Sequence, residues 1–153
     1  MHALELKVPP PVVVLFIAML MWLVTWAVPQ IGFAFPGYVV IVAALALVGT
    51  ITIVLGVASF RRVKTTLNPM KPEASTSLVT SGVYKFTRNP MYLGLLLILA
   101  GWAIFLSNLL AFLLLPAFVF YMNRFHIEPE ERALRSMFPE EFVDYECRVR
   151  RWL

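Results

Sequence analysis

VPPPVVVLFIAMLMWLVTWAVPQIGFAFPGYVVIVAALALVGTITIVLGVASF, residues 8–60, runs for 53 positions without a charged side chain. A transmembrane helix needs about 20 predominantly apolar residues, so this run holds two passes and a short connection. Pro29, Gly32, Pro36 and Gly37 punctuate its middle, and clusters of this kind end helices. The reading predicts one helix over Pro11–Val28 and a second over Tyr38–Phe60. Lys7 precedes the run without a small-residue cleavage pattern ahead of a soluble body, so the segment is expected to stay as the first span and not to leave as a signal peptide.

A second charge-free run covers residues 89–123, 35 positions. That is two passes at the lower limit of about 17 residues each. Ser107-Asn108 is the polar pair inside it and the natural turn of a tight hairpin. Helices are expected over Met91–Leu106 and Leu109–Tyr121; the alternative is one long tilted helix. The expected fold is therefore all-α and polytopic, with about four transmembrane helices in a single domain. Residues 1–60 form the first two spans, 61–90 a loop, 91–122 the hairpin, and 123–153 a helical tail.

Composition points the same way. The chain is 60% hydrophobic and 14% charged, whereas soluble domains are about 45–50% apolar. Its 13 Lys and Arg against 9 Asp and Glu do not read as a nucleic-acid surface, because the charges cluster beside the apolar runs. Arg61, Arg62, Lys64, Lys71, Lys85 and Arg88 lie in the middle loop, and Arg124, Arg132, Arg135, Arg148, Arg150 and Arg151 in the tail. Loops near span ends collect basic residues on the cytoplasmic side, so both termini and the middle loop are expected there. The lone Cys147 excludes an internal disulfide and reads as an inert, partly buried thiol. His2 and His126 make no metal-binding cluster, so no metal is expected.

The tail reads as helical but not transmembrane. Pro129 suits the first position of a helix whose opening turn holds Glu130 and Glu131, and Pro139 starts another with Glu140 and Glu141. Phe138, Phe142, Tyr145, Val149 and Trp152 recur at spacings of three or four, giving an apolar stripe that faces either the lipid surface or the protein.

Neither apolar run contains Asp, Glu, Lys, Arg or His, whereas ion-coupled transporters place such groups at membrane depth. The groups able to do chemistry lie in the middle loop and at the start of the tail, which the hairpin returns to one side. The expected site is at the membrane–water boundary.

Three segments there resemble a known family. Gly82-Val83-Tyr84, then Arg88-Asn89-Pro90-Met91-Tyr92-Leu93-Gly94, then Glu130-Glu131-Arg132-Ala133-Leu134 are similar, in order and separation, to the signature of isoprenylcysteine carboxyl methyltransferases and the related phospholipid methyltransferases. The likeness covers the C-terminal half, from about Leu78 to Trp152. Asn89 stands where that family often has His, and Pro139 where Gly often follows the Phe.

The resemblance implies a membrane-integral methyltransferase that uses S-adenosylmethionine and a lipophilic acceptor. It implies a cofactor site drawn from Leu78, Val79, Gly82, Val83, Tyr84, Arg88, Asn89, Pro90, Tyr92, Glu130 and Glu131, with Arg88 and Glu131 in the catalytic roles. The chemistry fits. An Arg fork pairs bidentately with a carboxylate, a carboxylate accepts ribose hydroxyls, and aromatic faces attract a sulfonium. No pair of glycines here makes the Gly-x-Gly of soluble nucleotide sites. An amine or thiol acceptor would give up a proton, for which Glu130 and His126 are the candidates.

Blander readings stand beside this one. Arg88 as a snorkelling helix-end residue, Glu130 and Glu131 as ordinary first-turn acids, and His126 as a boundary residue would need no ligand. Two rival functions follow: a phospholipid N-methyltransferase, which shares the cofactor site, and a non-enzymatic scaffold or transporter subunit.

Overall fold

The computed structural model describes residues 5–29, 36–62 and 77–153. Gly32, Lys64, Lys71 and His2 lie outside the described residues. Helix α1 covers Pro10–Ala27, α2 Tyr38–Arg62, α3 Pro90–Leu106, α4 Leu109–Phe112, α5 Leu114–Met122, α6 Glu128–Met137 and α7 Pro139–Arg148. A 3-10 turn over Gly82–Lys85 precedes α3, and a π-helical turn over Asn123–Ile127 joins α5 to α6. No strand is found among the described residues. Helices α1, α2 and the Leu109–Met137 run are long and apolar enough to cross a membrane, while α3 is apolar with 17 residues. The chain is an all-α polytopic membrane protein.

Exposed apolar side chains follow from that environment. Leu15, Phe16, Trp22 and Trp26 on α1 and Val40, Leu47, Val54 and Leu55 on α2 are exposed, as lipid-facing positions are. Inward, Val13, Ile17 and Met21 of α1 meet Leu99 and Ala103 of α3 and Ala111, Phe118 and Met122 of the last span. The Trp102 indole donates to the Ala18 carbonyl at 3.1 Å, tying α3 to α1.

Helices α2 and α3 pack through glycine. A Cβ on Gly49 would lie 2.6 Å from the Gly94 carbonyl oxygen, and one on Gly56 2.9 Å from Met91 Cγ. In lipid, where burial of apolar groups drives little association, such close backbone approach is what holds helices together. Gly94, which the sequence presents as part of a functional signature, is therefore also a contact residue of this seam.

The hairpin turns where expected. Ser107 adopts a left-handed conformation at φ +52°, ending α3. Asn108 is buried: its Oδ1 accepts from the Leu110 N–H at 2.9 Å, capping α4, and its Nδ2 donates to the Val28 carbonyl at 2.8 Å. The turn and the end of α1 thus lie at one end of the bundle. Replacing Asn108 with Leu removes the cap and leaves the Val28 carbonyl without this donor, so Asn108→Leu should lower stability by about 2–4 kcal/mol. Denaturant unfolding in detergent measures this, and an unchanged midpoint would dismiss the turn as a structural determinant.

Helix α6 has Pro129 in its first turn with Glu130 and Glu131, as expected, but no break precedes it: the last span continues through the π turn into α6, with the Glu128 N–H donating to Asn123 O. Proline lacks an N–H and leaves the carbonyl four residues back, Phe125, without its helical donor. The Leu6 N–H donates to that oxygen at 3.0 Å. Glu5 joins the same contact, pairing with Arg124 at 3.0 Å and Arg132 at 2.6 Å. The N-terminal segment and the tail therefore meet at the end of the bundle opposite the Asn108 turn. Cys147 is exposed, not partly buried, because α7 turns it away from the stripe that faces the protein.

Candidate active site

Gly82 opens the site with φ +65°, a left-handed conformation that side chains resist, and a Cβ there would lie 2.9 Å from Ser59 Oγ on α2. The following turn drives Tyr84 inward, where Val79, Phe142 and Tyr145 bury it and Phe60, Leu78, Val83, Leu134, Phe138 and Val149 pack around them. The apolar stripe of α7 thus faces the protein. The Tyr145 hydroxyl donates to the Tyr84 carbonyl at 2.7 Å. Burial pushes both phenols well above their ordinary range, Tyr84 further raised by Tyr145 and Glu130, so both keep their protons. Tyr145→Phe deletes this buried bond and should destabilise the fold by about 1–2 kcal/mol. Thermal unfolding in detergent tests this, and an unchanged transition would remove the bond from the account.

Beyond the turn, Thr87, Arg88 and Asn89 are tied to the C-terminal residues. The Arg88 N–H donates to Arg150 O at 3.0 Å, Asn89 Nδ2 to Arg151 O at 3.0 Å, and Thr87 Oγ1 to the same oxygen at 3.3 Å. Asn89, standing where the related family often carries His, thus serves as a brace, and Pro90 follows as the first residue of α3.

The two expected halves of the site meet. Arg88 Nη2 lies 3.1 Å from Glu131 Oε1, and Arg88 Nη1 lies 2.8 Å from Glu146 Oε1. Glu131 also receives Arg151 as a two-pronged fork, at 3.1 Å from Nε and 2.6 Å from Nη2. The bond to Glu131 holds the Arg151 guanidinium above its usual range. Glu146 additionally pairs with Arg135. Arg88 and Glu131 side chains are only 12% and 10% exposed, so solvent screens the pair little and removing one partner would leave the other charge buried and uncompensated.

Glu130, one residue earlier, has an opposite setting. Its carboxyl accepts the Tyr92 hydroxyl, and no ion pair reaches it among the described residues. One carboxylate is thus charge-matched and its neighbour is not.

Of the predicted residues, Arg88, Asn89, Tyr92, Glu130 and Glu131 come together around the first turn of α3. Leu78, Val79 and Val83 lie in the apolar cluster beneath Tyr84. Sequence reasoning missed Arg151, which it took as a topology-setting charge, and Glu146, which it did not single out. No local spacing announces them, since their partners lie 20 and 58 residues away in the chain.

A bundle of apolar helices with a polar, ion-paired cluster at one end defines a membrane-integral protein. The phospholipid methyltransferase family matches residues 38–141, more than half of the chain, and the protein belongs to it. An uncharacterized protein of Haemophilus influenzae is 48% identical over 63 residues, 41% of this chain and the whole of that protein. The protein-S-isoprenylcysteine O-methyltransferases of Mus musculus and Saccharomyces cerevisiae are 37% and 34% identical over 73 and 82 residues. Those segments are 48% and 52% of this chain but 26% and 33% of the mouse and yeast proteins. No solved structure shows a significant match.

Proposed function

We propose that the protein is an S-adenosylmethionine-dependent methyltransferase of a lipophilic acceptor, with the site and both termini on the cytoplasmic side. The observation that carries this is the contact between Arg88 and Glu131, which joins the two family segments at the end where the N-terminal segment and tail meet. The names of the mouse and yeast relatives support the reaction class. The basic residues described at this end, Arg61, Arg62, Lys85 and those of the tail, support the orientation.

The residues fit the cofactor. Arg88 Nε is buried and has no hydrogen-bond partner among the described residues, a donor left over for an anion. Glu131 accepts two N–H groups from Arg151 and is ion-paired with Arg88, and a carboxylate offers about four acceptor positions, leaving room for a hydroxyl. In this reading Arg88 holds the methionyl carboxylate through its free edge while Glu146 keeps it in place. Glu131, fixed by the Arg151 fork, accepts from the ribose. Tyr92 presents a ring beside them, its hydroxyl occupied by Glu130.

The bound cofactor supplies a methyl group on an excellent leaving group, so little acid–base work remains for the protein. Alignment and exclusion of water do most of it, and the apolar side chains Leu99, Phe118 and Met122 keep the interior of the bundle dry. The acceptor enters from the bilayer.

S-adenosylhomocysteine binding to the detergent-purified protein separates this reading from a non-enzymatic scaffold. Labelled S-adenosylmethionine incubated with lipid extracts then identifies the acceptor. Absence of both binding and labelled product would overturn the proposal.

A further inference from the structure

The π turn over Asn123–Ile127 is where the last span becomes α6, and groups from both ends of the described chain converge on it. Asn123 Oδ1 accepts the Trp152 indole N–H at 3.0 Å. Phe125 O accepts the Leu6 N–H at 3.0 Å. The sequence reading placed His126 at the boundary; the widened turn brings it inward, fully buried and set against the Val8 backbone.

Glu5 does more than join this contact. Its Oε1 lies 3.0 Å from Arg124 Nη1, inside the turn, and its Oε2 lies 2.6 Å from Arg132 Nη2, beyond the turn. One carboxylate thus spans the π turn, with one oxygen on each side. An isolated exposed ion pair contributes little, but this carboxylate is only 12% exposed and serves two guanidiniums. The backbone that presents it is constrained as well. Leu6 stands at φ +54°, a left-handed conformation that a leucine keeps only where its surroundings hold it. The bond to Phe125 and the packing of Val8 against the core supply that hold.

A π turn interrupts the regular ladder of helical hydrogen bonds, and helices kink at such places. Beyond this one, α6 carries Glu130 and Glu131, and Arg132 adjoins Glu131 in the chain. The 3.1 Å approach of Glu131 to Arg88 therefore depends on the direction in which α6 leaves the turn. We propose that residues 5–8 form a splint across the π turn and that Glu5 is a positioning residue, fixing α6 so that Glu131 faces Arg88. Glu5 touches no ligand; it acts on the cofactor site through Arg124, Arg132 and the helix they belong to. The proposal rests on the methyltransferase reading for the identity of the ligand, but not for the existence of the splint.

Hydrogen exchange of the full chain in nanodiscs tests the splint with no ligand present. Glu5→Gln should speed exchange of the α6 amides several-fold while α2 and α3 keep wild-type rates, which also shows that the bundle is folded. Unchanged exchange in α6 overturns the proposal.

Titration of S-adenosylhomocysteine tests the consequence for the site. Affinity should fall about three- to ten-fold in Glu5→Gln and in Arg132→Gln. The double variant should be little worse than the weaker single one, because the two residues act as a unit. Glu140→Gln, at an exposed acid of α7, should keep wild-type affinity and wild-type exchange. A loosened α6 with wild-type affinity removes Glu5 from the positioning of the site. Additive losses in the double variant, or an equal loss in Glu140→Gln, would show a general effect of charge and likewise sink the idea. If the wild type fails to bind S-adenosylhomocysteine while Glu5→Gln still loosens α6, the methyltransferase reading falls and the splint stands.

Discussion

Titration of S-adenosylhomocysteine should be about ten- to a hundred-fold weaker in Glu131→Gln than in the wild type, the consequence of losing about 1.5–3 kcal/mol of charge-assisted hydrogen bonding. The substitution keeps shape and one acceptor but removes the charge on which Arg88 and Arg151 both converge. Arg88→Lys should be comparably damaging, because an ammonium cannot serve Glu131, Glu146 and a ligand carboxylate with a rigid planar fork. Each variant needs its unfolding transition measured alongside, since the pair is largely buried. Arg88 keeps Glu146 when Glu131 is neutralised, so both chains should still fold. Wild-type affinity in both folded variants would take these residues out of the site and leave the ion pairs as structural braces.

Gly94→Val should give the largest loss of stability of any single change on the α2–α3 seam. The new Cβ would sit 2.5 Å from the Gly49 carbonyl oxygen and 2.6 Å from Ile53 Cγ1. The first of these is backbone, which moves only if the helix moves. Overpacking of this kind destabilises by about 1–3 kcal/mol, and occasionally more. Gly101→Ala is the matched contrast, because a Cβ there meets nothing closer than 3.5 Å. That variant should be neutral or gain up to about 1 kcal/mol from helix propensity. Equal unfolding midpoints for the two variants would show that the glycines do not set the helix spacing.

The spans were legible because lipid imposes a length and excludes charge, two properties that a linear reading measures directly. The Ser107-Asn108 turn was legible for the same reason, being the one place where polar side chains interrupt the second run. The meeting of Arg88 with Glu131 could be anticipated from a resemblance and from the hairpin that returns both to one side. Three things stayed hidden. The return of Arg151 across the loop depends on a contact between distant segments, and no periodicity encodes it. The orientation of His126 depends on a π turn, whose register shift is invisible to a count of 3.6. The role of Pro129 was half visible: it does stand near the start of α6, but the carbonyl it frees binds Leu6, from the other end of the described chain. Cys147 was misplaced because the stripe of α7 had been given no certain partner, and the side that faces away could not be chosen.

The 17 residues of α3 have a consequence for the surrounding membrane. At about 1.5 Å per residue the helix is about 25 Å long, against a hydrocarbon layer of about 30 Å. A span this short asks the bilayer to thin around it, at a fraction of a kcal/mol for each ångström of mismatch. Thinning draws lipid head groups inward toward Asn89 and Pro90, where α3 begins beside Arg88. Phosphatidylcholines with short acyl chains should therefore hold the protein with less distortion than long ones, and acyl-chain length becomes a property of the membrane to which this chain responds.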